Sequence, residues 1–352
     1  MNSNIFIPYT AYNTLLAFAL SAEHPEDENI FIFSGPMMDA GLATIENLRK
    51  LAPPVRVRVL QIPYEDCNNN LSRFFAKKRE LKILRSMCRQ FSDVSRIYYF
   101  EEWYIITHLC LSLAEKLFPD VQLYQVEDGI ETYVKLKHKV KNICERTADN
   151  IFYGSWHSDV KVPGTLRRRA AICALFPELL PNIFDGKDKI VIKSEILKRQ
   201  IEKHRDSFIE ALHLPALTGT GNTLITVDDE KYVDSPAYKA IVASHITAAQ
   251  ASNSRVAVKM HPGDRRTHDF GVGGGDLVVL PPRLPVEIYY LLYSGVFSTI
   301  VGGLSTCLLT ARWLLPEASI SSVFPEEFLD STDYSREILS FYEHYGIRVA
   351  RI

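Results

Sequence analysis

With 352 residues, 47% apolar and 23% charged, the chain has the make-up of a globular protein long enough for two domains. Forty Lys and Arg against 42 Asp and Glu leave a formal net charge of −2, so the composition carries no general polyanion-binding signal and nucleic acid is not an expected partner. Six scattered cysteines (Cys67, Cys88, Cys110, Cys144, Cys173, Cys307), with no C-x-x-C pair and no Cys/His cluster, indicate reduced thiols and argue against a structural zinc.

The N-terminal stretch has an apolar middle but no Lys or Arg ahead of it. Pro8, Asn13 and the acidic end of the stretch also break a secretory pattern. No run approaches the ~18 uninterrupted apolar residues of a membrane span. The expected location is therefore the cytoplasm.

Residues 4–10 (NIFIPYT) read as a first strand and 12–22 as an amphipathic helix. Strand 29–34, helix 42–51 and strand 55–62 follow, the last with Val55, Val57 and Val59 on one face and Arg56 and Arg58 on the other. Residues 71–91 form a long basic helix, 96–100 a strand, 108–117 a helix and 121–126 a strand. The run 132–148 reads as a helix carrying Lys135, Lys137, His138, Lys139 and Lys141. It is either a solvated face or a cationic surface suited to an anionic acceptor.

From 152 to 217 the pattern blurs into Pro-interrupted inter-domain sequence with a polar helix over 195–211. The turn-rich 215–222 is the expected boundary, giving domains 1–217 and 218–352. The second half restarts with strand 223–227, helix 238–251, strands 256–260 and 276–280, helix 285–293, strand 296–301, helix 307–315 and strand 319–323. A C-terminal helix over 334–345 is expected to pack back on the first domain. Strand and helix alternate throughout, the signature of doubly wound parallel α/β sheets.

Four places at strand ends or helix starts carry chemistry-bearing side chains. Glu127-Asp128-Gly129 follows strand 121–126, although acids before a glycine also simply start a turn or helix. His261-Pro262 closes strand 256–260, because proline cannot continue a ladder. The histidine is a turn cap, or a ligand group at the carboxyl end of a parallel strand. Gly302-Gly303-Leu304-Ser305-Thr306 joins a strand to a helix start, where unpaired N–H groups and the macrodipole suit a phosphate; Ser305 alone also serves as a plain N-cap. Glu287, in the first turn of helix 285–293, either accepts from ribose hydroxyls or suits the helix dipole. The run 271–275 (GVGGG) fails as a dinucleotide loop, since Asp276 and a strand follow it. Walker, HExxH, nucleophile-elbow and kinase patterns do not occur.

In this order, Glu127-Asp128-Gly129, His261-Pro262 and Ser305-Thr306 resemble the (D/E)(D/E)G, HP and S(S/T) motifs of bacterial sialyltransferases. Pro285-Val286-Glu287 lies between the last two. The resemblance is to the polysialyltransferases and lipooligosaccharide sialyltransferases, over the C-terminal third and at one point in the N-terminal half. It implies a GT-B fold, two Rossmann-like domains facing across a cleft. CMP-sialic acid is then expected in the C-terminal domain and a glycan acceptor on the N-terminal side.

On that reading Glu127 is the general base, Asp128 orients it, and His261 neutralises or protonates the leaving phosphate. Pro262, Glu287, Gly302, Gly303, Ser305 and Thr306 complete the CMP seat, and Lys135 and Lys139 contact an anionic acceptor. Neither a metal nor a cofactor is needed, because the seat itself meets the phosphate charge. Inversion at the anomeric carbon is expected. The basic helices 71–91 and 132–148 further suggest peripheral contact with the inner membrane surface. Kdo transferases of capsule synthesis carry similar EDG and HP elements, so another CMP-activated sugar stays open. A non-catalytic nucleotide or glycan binder of the same shell and a sugar-nucleotide epimerase are the alternatives of other kinds.

Overall fold

The computed structural model describes residues 2–51, 55–64, 70–134, 156, 160, 164–167, 170–215, 217, 221–228, 230–252, 254–261, 270, 277–282, 284–325 and 333–351. These residues form two compact units. One comprises the described residues up to Asp128 and those from 136 to 197; the other comprises those of 129–135 and from Lys198 onward. The division after 197 falls inside a helix, ahead of the turn-rich 215–222 where the sequence suggested it.

The first unit is built on a seven-stranded, fully parallel sheet: β1 (Ser3–Ile7), β2 (Glu28–Phe33), β3 (Val57–Gln61), β4 (Val94–Tyr99), β5 (Gln122–Val126), β6 (Ala171–Ala174) and β7 (Lys189–Val191). The order is β3-β2-β1-β4-β5-β6-β7, so chain direction across the sheet reverses between β1 and β4. Helices α1 (Ala11–Ser21), α2 (Met38–Leu51), α3 (Asn70–Cys88) and α4 (Ile105–Leu117) connect the strands.

Period-2 alternation sends two different sets of side chains to the two faces of this sheet. Ile5, Ile7, Ile30, Ile32, Ile97 and Tyr99 join Leu81 and Leu84 of α3 and Ile106 and Leu109 of α4 in one core. The other face carries an aromatic ladder at paired register. Phe31, Phe6, Tyr98 and Tyr124 stack with centroids 4.9, 4.6 and 4.8 Å apart. Strands buried on both faces explain why these runs are apolar almost throughout.

β6 and β7 lie within the Pro-interrupted stretch 152–217, where the sequence shows no strand pattern. They are only four and three residues long, and Pro177 and Pro181 stand between them, too little for an alternation to register.

The second unit has a six-stranded parallel sheet, β10-β9-β8-β11-β12-β13, with the same reversal, here between β8 and β11. Its strands are β8 (Asn222–Thr226), β9 (Val256–Lys259), β10 (Leu277–Leu280), β11 (Phe297–Gly302), β12 (Ser319–Phe324) and β13 (Arg348–Arg351). The helices, counted among the described residues, are α5 (Glu195–Ala211), which spans the division, α6 (Glu230–Val233), α7 (Pro236–Ala251), α8 (Val286–Leu292), α9 (Thr306–Leu314) and α10 (Asp333–His344). Ile225, Val256, Val258 and Val301 pack with Tyr238, Val242 and Ile246 of α7. The C-terminal helix α10 sets Phe341 against Tyr133, centroids 5.2 Å apart, inside this unit. No helix among the described residues is long and apolar enough to cross a membrane.

Candidate active site

The acidic pair sits at the carboxyl end of β5 in the first unit. Glu127 continues the ladder with β6, its N–H donating to the Cys173 carbonyl at 2.9 Å. Its side chain is fully buried. One carboxylate oxygen accepts from the Leu175 amide at 2.7 Å and the other from the Tyr12 hydroxyl. Asp128 is half-buried, and its Oδ1 accepts from Asn13 Nδ2 at 2.8 Å.

Asn13 also closes the start of α1. Its backbone N–H donates to Thr10 Oγ1 at 3.1 Å, while its Oδ1 accepts from the amides of Tyr9 (3.2 Å) and Thr10 (3.1 Å). This reciprocal capping box fixes the first turn. The free end of the same amide group then holds Asp128. Sequence reasoning missed Tyr12 and Asn13; the T-x-x-N spacing after strand β1 was the available signal.

In the second unit, Gly129 has φ of +72°, a conformation that side chains other than glycine rarely take. A Cβ there would lie 2.6 Å from Thr306 Oγ1. That hydroxyl also accepts from the Ile130 amide at 3.3 Å, so the glycine of the acidic motif and the threonine of the hydroxyl motif are in contact. Ser305 is the N-cap of α9, its Oγ accepting from the Cys307 amide at 3.4 Å, and its carbonyl takes the Tyr342 hydroxyl at 2.7 Å.

The Gly302-Gly303 pair has a structural reason as well as any ligand role. Cβ atoms there would collide with Thr226 Oγ1 and with Asp228 Oδ2, from the end of β8. Asp228 is buried and held by Tyr238, whose hydroxyl donates to Oδ2 at 3.0 Å and accepts from the Asp228 amide at 2.9 Å. It lies at the strand reversal of this sheet, a functional-site position that the sequence reading did not single out.

His261 is exposed just beyond β9. The strand end before it is tied down by Lys259, whose Nζ donates to the carbonyls of Met260 (2.7 Å) and Pro282 (3.0 Å). Burial pulls the Lys259 ammonium down to about 8, against the opposing pull of Glu287.

Glu287 itself lies inside, 5% exposed, with its Oε1 accepting from Thr310 at 3.0 Å and its carboxyl pushed up by burial. Pro262, Lys135 and Lys139 lie outside the described residues. Among the described residues, His24, Glu26 and Asp27 place potential metal-ligating atoms within 4.8 Å of one another. They sit at the amino end of β2, where Asp27 already accepts from Asn4 (3.2 Å) and pairs with Arg96 (3.3 Å).

Two units, each built on a doubly wound parallel α/β sheet, make up a GT-B-like fold. The fold is similar to the crystal structure of an α/β-galactoside α-2,3-sialyltransferase from Photobacterium phosphoreum, with TM-score 0.59 and 10% identity over 99% of this chain and 98% of that one. It is also similar to UDP-GlcNAc 2-epimerase from Neisseria meningitidis, with TM-score 0.54 and 11% identity over 99% and 95% of the two chains. At these identities the likeness speaks for the fold alone. None of the curated proteins matches the chain significantly.

The alpha-2,8-polysialyltransferase family model matches residues 10–324, and the chain belongs to that family. It is a glycosyltransferase that uses CMP-sialic acid.

Proposed function

We propose that the protein transfers sialic acid from CMP-sialic acid to a hydroxyl of a glycan acceptor in a single inverting displacement that requires no metal ion. The acceptor oxygen attacks the anomeric carbon, the bond to the CMP phosphate breaks, and the acceptor proton passes to a carboxylate. Within the acidic pair, access favours Asp128 for that proton. Glu127 has no exposed surface and both of its oxygens accept hydrogen bonds, whereas Asp128 is half-open and oriented by Asn13. This assignment reverses the order within the pair that the sequence suggested. It makes Glu127 the residue that fixes the end of β5 beside β6.

On the donor side, His261 and the amino end of α9, with Ser305 and Thr306, meet the charge of the departing CMP. The observation that carries the reading is the oriented, half-exposed Asp128 in a chain of this family. We extend it to a peripheral membrane contact through the exposed Lys78 and Lys82 face of α3. Charge reversal at those two positions should then abolish binding to anionic liposomes.

The central test is release of CMP from CMP-sialic acid in the presence of a sialylated acceptor and EDTA. Asp128→Asn should lower kcat by roughly a hundredfold or more while CMP binding persists. Retained turnover in Asp128→Asn, with loss in Glu127→Gln at an unchanged melting point, would return the base role to Glu127. Product of retained anomeric configuration would exclude the single displacement.

A further inference from the structure

The carboxyl edge of the first sheet carries aromatic side chains that the reaction scheme above leaves unused. Tyr9 follows β1, Tyr64 follows β3 and Tyr104 immediately precedes α4. The rings of Tyr9 and Tyr104 lie 5.0 Å apart, tilted by 58°. The Tyr104 hydroxyl is 3.0 Å from Ser34 Oγ at the end of β2, which fixes the ring. Lys77 Nζ stands 5.0 Å from the centre of the same ring and is paired with Glu80 at 2.6 Å.

Tyr64 is 39% exposed and Tyr9 is half-buried, so both offer ring surface to solvent. Burial first, then the carboxylate of Glu101, Tyr64 and the carboxylate of Asp128, raise the Tyr9 phenol, so it stays a neutral donor near neutral pH. Tyr9 is also tied to Asp128 through a single amide group, since Asn13 accepts from the Tyr9 backbone and donates to the Asp128 side chain.

A pyranose ring has an apolar C–H face and a polar rim, and an aromatic ring with a hydroxyl tip answers both. We propose that Tyr9 and Tyr64 form the platform on which the terminal pyranose ring of the acceptor lies, presenting its hydroxyl to Asp128, with Tyr104, covered by Lys77 and held by Ser34, bracing Tyr9 from behind. This assignment rests on the transferase reading given above. Recognition here is by ring contact more than by charge. The Lys77 ammonium is paired with Glu80.

The test measures KM for acceptor and for donor by CMP release, with an α2,8-linked sialic acid trimer as acceptor, in wild type, Tyr9→Ala, Tyr9→Phe and Tyr64→Ala. Loss of one stacking ring should raise the acceptor KM about fivefold to tenfold in both alanine variants. The donor KM should stay within about twofold, and Tyr9→Phe, which keeps its ring, should stay near wild type. An unchanged acceptor KM in both alanine variants, or equal rises in both KM values, would overturn the platform while leaving the transferase reading intact. If wild type releases no CMP, the transferase reading itself falls. Saturation-transfer NMR of the trimer on wild type and Tyr9→Ala then decides the platform: signal lost in the variant supports it and equal signal overturns it.

Discussion

The most informative side chain is Asn13, because one amide group serves the helix and the acid at once. Asn13→Asp keeps the oxygen that caps α1 but replaces the donor to Asp128 with a second carboxylate oxygen. The cap should survive, since an acid suits a helix's first turn, while like charges now meet at Asp128. The expected outcome is a lowered melting point, since the new carboxylate is buried against Asp128, with kcat lowered about tenfold and the acidic limb of the pH–rate profile moved upward.

Lys259 makes a separate prediction. Its folded value is about 8, below the ordinary 10.5, so between those values the unfolded chain binds more protons than the folded one. Stability must therefore rise with pH across that window, by at most ~1.4 kcal/mol per unit for one proton. Cys307, a neighbour of Lys259, is pushed up to about 12 by burial and acts in the opposite sense above its ordinary value of 9.0. Comparison with Lys259→Met isolates the lysine: the stability difference, wild type minus variant, should grow from pH 8 to 9.5. A flat difference in denaturant melts would contradict the assignment.

Among the elements, the reversal between β8 and β11 is built by mutual exclusion of atoms. Gly303 is glycine because Asp228 occupies the space its Cβ would take, and Asp228 cannot retreat without losing Tyr238. Gly303→Ala should cost about 1–3 kcal/mol. Adding Asp228→Ala should recover part of that loss, a non-additivity that a double-mutant cycle reads directly. The motif glycines were legible in the sequence, but their reason was not. The pair looked like backbone cleared for a phosphate, and the nearest occupants turn out to be side chains of a strand some 75 residues earlier. β6 is a similar case. Four residues gave no pattern to read, yet β6 and the Leu175 amide after it are what enclose Glu127.

For the whole chain, two units with separate cores predict that a donor nucleotide stabilises them unequally. CMP at about a hundred times its Kd adds about 2.7 kcal/mol to the folded state that holds it. In calorimetry CMP should raise the transition of the second unit, and His261→Ala should remove much of that shift. UDP and GDP should leave the profile unchanged. A larger response to UDP than to CMP would contradict the donor assignment at the level of the fold.

The parallel α/β class, most of the long strands and helices, and the order of the strand-end motifs are all written locally in the chain. Those are local signals of periodicity, strand-end chemistry and turn residues, and neighbouring residues suffice to write them. Long-range packing sets which acid is open to solvent, buries Glu287 against Thr310 of the next helix, and brings Tyr12 and Asn13 to the acidic pair and Asp228 to Gly303. Burial and hydrogen-bond partners depend on strands brought side by side from distant parts of the chain. Asn13 and Asp128, 115 residues apart in sequence, meet only because β1, β4 and β5 end at the same edge of one sheet.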